Sequence, residues 1–229
     1  MRYDRQIILP EIGEEGQKKL QEAKVLIVGV GGLGSPIALY LAGAGVGCLG
    51  LVDDDLVSIT NLQRQVLYSE KELGKPKAIC AAERLSALNS EIRIHPYSTR
   101  LTKENAYHII QEYDIVVDGC DNFATRYLIN DTCVQLGKIY VYGAIRAFDG
   151  QVSVFNYQGG PDYRHFFPDE DEMLSMPHPP KGVLGVTPGI VGCTEATEVL
   201  KIIGGYGEVL SGKLWIIDLK TMETHILSL

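Results

Sequence analysis

A chain of 229 residues, 45% hydrophobic and 22% charged, has enough apolar material for a packed core and fits one large domain or two small ones. Its formal net charge of −8 disfavours binding nucleic acid through a basic surface, although it leaves room for a locally basic pocket. No signal peptide precedes the first element and no apolar run reaches about 18 residues, so the sequence predicts a cytoplasmic protein that does not engage a membrane.

After the opening decapeptide, residues 14–23 are polar and helix-prone. Residues 24–30 form an apolar, β-branched run ending in glycine, the pattern of a buried strand. A helix of small and branched residues is expected over 33–44 and a strand over 48–52. The next helix spans 76–88, with Pro76 near its first turn, where proline is tolerated. Residues 92–95 read as a strand, Thr102 as the cap of a helix to about Gln111, 115–117 as a strand and 122–136 as a helix. Strands at 139–142 and 151–155 follow. The link between them, 143–150, is too short for a parallel crossover, so the later strands are expected to be antiparallel.

Residues 158–185 contain Pro161, Pro168, Pro177, Pro179, Pro180 and the acidic run 169–172, and are expected to form a long, poorly structured loop. A helix from Thr187 to about Ile203 ends at Gly204 and Gly205, and strands at 214–218 and 224–227 close the chain. The alternation predicts an α/β fold: a Rossmann-like, mostly parallel sheet with flanking helices, extended by antiparallel strands in the C-terminal part. The cysteines Cys48, Cys80, Cys120, Cys133 and Cys193 form no Cys-x-x-Cys pair and sit in apolar or helical stretches, so they read as buried free thiols.

The turn Gly29-Val30-Gly31-Gly32-Leu33-Gly34 separates the first buried strand from a helix. Gly29 permits the tight turn, Gly31 lets backbone amides approach a phosphate, and Gly34 lets the helix pack on the strand. The helix N-terminus favours an anion. Asp53 follows Gly34 by 19 positions at the end of the second strand, where a carboxylate can accept from both ribose hydroxyls. Asp54 reads as a solvated turn residue, and the same alternative stands for Asp55.

Arg64 and Lys77 come next. A planar guanidinium suits bidentate phosphate contact and an ammonium acts as a point charge, so both point to polyphosphate chemistry; two isolated surface cations would be the plainer reading. Asp118-Gly119-Cys120-Asp121-Asn122 closes the fourth strand, at the sheet end that faces the ligand crevice. Asp121 is placed to hold Mg²⁺ bridging phosphates, with a helix N-cap as the alternative.

Together, Arg2-Tyr3-Asp4-Arg5-Gln6-Ile7-Ile8-Leu9, the glycine turn, Asn61-Leu62-Gln63-Arg64-Gln65, Gly74-Lys75-Pro76-Lys77 and Cys120-Asp121-Asn122 resemble the ThiF/MoeB/HesA family, bacterial relatives of ubiquitin-activating enzymes. The resemblance covers nearly the whole chain and implies a single E1-like adenylation domain over residues 1–229. It implies an ATP-dependent adenylyltransferase acting on the C-terminal glycine carboxylate of a ubiquitin-like sulfur carrier protein ending in Gly-Gly, ThiS-like or MoaD-like, for thiamine or molybdopterin biosynthesis. By motif match, ATP would lie against Gly29, Gly31, Gly32 and Gly34, with Asp53 on the ribose and Asn61, Arg64 and Lys77 on the phosphates. Asp121, beside Asn122, would bind Mg²⁺ and position the α-phosphate. Arg5 would reach the ATP of the other subunit, which implies a homodimer with composite sites.

The sequence departs from the family pattern in two places. Where many members carry a zinc-binding Cys-x-x-Cys, this chain reads Asp162-Tyr163-Arg164-His165, and no second pair follows. Two ligands are too few for a closed structural site, so no structural zinc is expected and the long loop is expected to stay mobile until the carrier binds. No cysteine lies between Cys133 and Cys193, which argues against a covalent thioester and for a separate sulfur donor; His178 is a weak substitute nucleophile. The competing readings are an NAD-dependent oxidoreductase, which shares the glycine turn and Asp53, a non-catalytic carrier-binding module of the same fold, and a tRNA-modifying dehydratase of the same superfamily.

Overall fold

The computed structural model describes residues 2–176 and 182–228. Strands β1 (Lys24–Val28), β2 (Cys48–Val52), β3 (Arg93–Tyr97), β4 (Ile115–Asp118), β5 (Ile139–Arg146), β6 (Asp149–Phe155), β7 (Lys213–Asp218) and β8 (Glu223–Ser228) form one eight-stranded sheet in the order β3-β2-β1-β4-β5-β6-β7-β8. The first five in sequence pair in parallel, and β5-β6-β7-β8 pair antiparallel. The helices are α1 (Asp4–Ile7), α2 (Gly13–Glu22), α3 (Gly34–Ala44), α4 (Lys77–Leu88), α5 (Ala106–Ile110), α6 (Phe123–Leu136), α7 (Tyr163–Phe166), α8 (Glu170–Ser175) and α9 (Val186–Gly204). Among the described residues no helix is long and apolar enough to cross a membrane.

Both faces of the parallel strands are covered, which is why they read as continuous apolar runs. Val25 and Ile27 of β1 pack with α3, α4 and α9; Leu26 and Val28 pack with α5, α6 and a group of aromatic rings. Burying each such side chain fully contributes about 1.5–3 kcal/mol. Ala38 and Ala42 keep α3 slim, and Gly192 lets α9 close on it: a Cβ there would stand 2.6 Å from the Leu33 carbonyl oxygen.

Three expectations need correction. The stretch 143–150 is not a loop: β5 runs through to Arg146 and β6 begins at Asp149, leaving a turn of Ala147 and Phe148. The glycines that suggested a loop serve close packing within the strands. A Cβ on Gly150 would meet Val191 of α9 at 2.2 Å, and Gly143 faces Glu195 of the same helix. Similarly, Thr102 does not cap a helix; α5 starts later, after a turn in which the Thr102 carbonyl accepts from the Asn105 and Ala106 amides.

The third correction concerns residues 158–176, which contain α7 and α8 rather than an unstructured loop. The reason is aromatic. Tyr163 is fully buried, 4.7 Å from the Phe167 ring and 5.1 Å from Tyr127 between centroids, and its amide donates to Asn130 Oδ1 at 2.8 Å. Arg164 ties the same segment to α6 and α8, with Nε and Nη2 on the Asp131 carboxylate at 2.6 and 2.7 Å and Nη2 on Glu170 at 2.7 Å. Hydrogen bonding from Arg164 holds the Asp131 carboxyl below its ordinary range. Asp162 spends a carboxylate oxygen on the His165 amide at 2.9 Å, capping α7. His178 lies outside the described residues.

Candidate active site

The carboxyl ends of β1, β2 and β4 lie side by side, because Val28 is in register with both Val52 and Asp118. The hydrogen bonding continues one step beyond the strands: the Gly29 amide donates to Val52 O at 2.7 Å and the Gly119 amide to Val28 O at 2.8 Å. Gly29 has φ +89°, and a Cβ on it would stand 2.6 Å from the Gly119 carbonyl oxygen. At Gly34 a Cβ would stand 2.0 Å from the Gly29 oxygen, so the first turn of α3 closes directly over the end of β1. Both positions exclude any side chain, and the N-terminus of α3 is left facing the crevice where the strand order reverses.

The turn is braced from outside. Asp53 Oδ2 accepts from the Val30 amide at 2.8 Å and Oδ1 from the Asp55 amide at 2.9 Å, while the Tyr68 hydroxyl donates to the Val30 carbonyl at 2.8 Å. Burial pushes the Asp53 carboxyl up, opposed by the two backbone amides. Each carboxylate oxygen retains a second lone pair for a hydroxyl donor.

The cations converge on this turn. Asn61 ends a 3-10 turn whose carbonyl accepts from the Arg64 and Gln65 amides at 3.0 and 2.9 Å. Arg64 thereby lies over the glycines: a Cβ on Gly32 would be 3.5 Å from Arg64 Cδ. Its guanidinium donates to Thr60 O at 3.1 Å and keeps its other donors. Lys77 opens α4 and is 3% exposed, with Nζ 2.7 Å from Asp55 Oδ2. The pairing fixes the ammonium beside the acidic end of β2, with the Asp55 side chain itself still open to solvent. The Leu56–Pro76 bridge sets that approach, a contact between segments that no spacing rule connects.

At the end of β4, Asp118 is fully buried and its carboxylate is the hub of a network. It accepts from Arg126 Nε at 3.0 Å, the Tyr140 hydroxyl at 2.9 Å, and the Cys120 amide and thiol at 2.9 and 2.8 Å. Arg126 Nη2 also donates to the carbonyls of Cys120 and Gly143, each at 3.3 Å. The 119–122 turn is thus held from below while Asp121 is exposed above it. The helix cap is Asn122, whose Oδ1 accepts from the Thr125 amide at 2.9 Å; Asp121 is left with Asn122 Nδ2 at 3.5 Å. The alternative of Asp121 as the N-cap is therefore wrong by one position. Sequence reading passed over Arg126 and Tyr140, whose signal is only a buried charge eight positions after another on the next helix.

Arg5 is not brought to this place within the chain. In α1, Gln6 Nε2 donates to Ala44 O at 2.8 Å, and Tyr3 packs where a Cβ on Gly45 would stand 2.6 Å from its ring. Those contacts are at the C-terminal end of α3, whose 11 residues span about 16 Å from the glycine turn.

Among the described residues, the ligand-type side chains that gather within reach of one another are Asp53, Asp54 and Asp55. The thiols of all the cysteines are pushed up by burial, with Asp118 adding to the effect at Cys120.

The model of the ThiF family matches residues 3–229. The chain belongs to the ThiF family. This ThiF-family chain is 49% identical over 214 residues to the probable molybdopterin-synthase adenylyltransferase of Porphyra purpurea, covering 92% of itself and 56% of that protein. It is also 49% identical over 223 residues to the sulfur carrier protein adenylyltransferase of Thermus thermophilus, covering 95% of itself and 82% of that relative. Among solved structures it resembles E. coli MccB with ATP, with a TM-score of 0.86 and 26% identity over all of this chain and 71% of that one. The chain spans little more than half the length of the algal relative.

Proposed function

We propose that this chain is a single adenylation domain that uses ATP to activate the C-terminal glycine carboxylate of a ubiquitin-like sulfur carrier protein. The observation that carries the reading is the convergence of Arg64, Lys77 and Asp121 on a glycine turn at the carboxyl ends of three adjacent strands. A site that docks a dinucleotide needs the turn and Asp53; it has no need of the two cations and a free carboxylate. The names of the algal and Thermus relatives give the same reading its substrate class.

The triphosphate lies along the N-terminus of α3, with Asp53 on the ribose and Asn61, Arg64 and Lys77 on the phosphates. The carrier carboxylate, already ionised, attacks the α-phosphorus in line. An oxygen–phosphorus bond forms to the carboxylate as the bond to pyrophosphate breaks, giving the acyl-adenylate. No proton moves, so the protein's task is positioning and charge neutralisation. Asp121, exposed and without an ion-pair partner among the described residues, would be the protein carboxylate that holds Mg²⁺, and the ion would supply further neutralisation of phosphate charge. With every thiol pushed up by burial, none is set up as a thiolate nucleophile. Sulfur would then come from a separate donor to the adenylated carrier.

The test is pyrophosphate exchange into ATP with a panel of Gly-Gly-ended carriers, ThiS-like and MoaD-like. Exchange with at least one carrier, lost when its last glycine is removed, is the expected result. No exchange with any of them, or thermal stabilisation by NAD and none by Mg-ATP, would count against the reading. Arg5→Ala is expected to lose exchange while remaining dimeric, because Arg5 lies at the far end of α3 from its own chain's turn. Mixing it with Lys77→Ala should restore part of the activity through one intact composite site. Inactive mixed dimers would show that the sites are not shared.

A further inference from the structure

Glu195 lies in α9 with no exposed surface, and neither carboxylate oxygen has a hydrogen-bond partner among the described residues. It occupies the space over Gly143 of β5, where a Cβ would stand 2.3 Å from the Glu195 carboxyl carbon. The carbonyl of the same Gly143 accepts from Arg126 Nη2, and the other carbonyl that Nη2 reaches is Cys120, in the turn that carries Asp121. The unpartnered acid therefore sits one residue's backbone away from the guanidinium that holds the candidate site together.

Few charges face it. Asp118 of β4 disfavours its ionisation and Arg126 of α6 favours it. α3 carries no charged residue. The charged residues of β5 and β6 are Arg146 and Asp149, both exposed at strand ends, and Tyr140 and Tyr142 belong to the core on the other face of the sheet. The charged side chains of α2 are exposed. On α9 itself, Glu198 pairs with Lys201, and the thiol of Cys193 is pushed up by burial. Arg126 is already engaged by Asp118 at 3.0 Å. Desolvation with no hydrogen bond to the charged form leaves the neutral acid as the stable state.

We propose that Glu195 is a positioning residue: as the neutral acid over Gly143 it leaves Arg126 on Asp118 and on the Cys120 carbonyl, and once ionised it draws the guanidinium away and releases the turn that presents Asp121. This rests on the reading of Asp121 as part of an adenylation site. What changes is where the turn that carries Asp121 is held.

The experiment compares the full chain with Glu195→Gln from about pH 6 to about pH 10, following both carrier-dependent exchange and thermal unfolding. In the native protein kcat for exchange should fall about tenfold or more across the alkaline range with KM for ATP little changed, while the Gln variant stays flat and matches it at the acid end. Unfolding should show the same contrast. The native state keeps a proton that the unfolded chain has released, so stability falls as pH rises between the ordinary glutamate value and the raised one, by up to tenfold in the folding constant per pH unit. The Gln variant lacks that slope.

Superimposable exchange profiles overturn the proposal, as does a Gln variant that folds yet is inactive at every pH. If the native chain exchanges with no carrier, the adenylation reading fails, and the unfolding profiles decide on Glu195 by themselves: equal slopes overturn its neutral state, a slope lost in the variant supports it. If the Gln variant does not fold, Glu195→Leu carries the same comparison.

Discussion

Replacing Asp121 by alanine is expected to abolish carrier-dependent pyrophosphate exchange and to leave stability almost unchanged. The two halves of this expectation have separate physical grounds. Asp121 is exposed, and its recorded neighbour is the Asn122 amide nitrogen at 3.5 Å, so removing it should change stability by no more than about 0.5 kcal/mol. The carboxylate is nevertheless presented on a turn clasped by Asp118 and Arg126, the construction of a group held in position for use. Losing a preorganised electrostatic contact to a transferring phosphoryl group typically costs about 100- to 1,000-fold in rate. Exchange assays and thermal unfolding on one preparation check both halves. Asp121→Asn keeps the shape without the charge and should be nearly as inactive. Unchanged exchange in the alanine variant would remove Asp121 from the site.

The second large effect is on the fold. Arg126→Met should destabilise the protein by about 3–5 kcal/mol, since it strands the Asp118 carboxylate in the interior without its cation. At this chain length each kcal/mol moves Tm by about 2–4 °C, so a fall on the order of 10 °C is expected. The Tyr140 hydroxyl and the Cys120 amide and thiol still donate to Asp118 and limit the loss. The double variant Asp118→Asn with Arg126→Met should recover part of the stability, because much of the single-variant penalty belongs to the unpaired charge rather than to the pair. Denaturant unfolding of both single variants and the double variant measures this directly. Additive losses would show that Asp118 and Arg126 act independently.

The alternation of buried strands and helices was legible because each segment announces itself locally. Residues 25–28 and 115–117 are apolar throughout since both sheet faces are covered, and the glycine turn is a backbone requirement that other residues cannot meet at Gly29 and Gly34. The antiparallel turn of the later strands followed from a short link alone. The same reasoning failed at Gly143 and Gly150, where glycine in a strand signals a close neighbour rather than a loop. It failed again at 158–176, where prolines and acids obscured Tyr163, Phe166 and Phe167, whose rings dock the segment on the sheet.

For the site, the sequence alone determined which residues are candidates: Arg64, Lys77, Asp53 and Asp121 all follow strand ends or the first turns of helices, which an α/β fold gathers at one end of the sheet. It also marked Arg5 by resemblance. What the tertiary structure decided is how those residues are held. Lys77 is seated by Asp55, the Asp121 turn by Asp118 and Arg126, and Glu195 fills the place a side chain at Gly143 would take. Turn geometry and strand periodicity are short-range properties written in adjacent residues. Buried charges, in contrast, are stabilised or stranded by groups on other elements, so their partners exist only once the chain has packed.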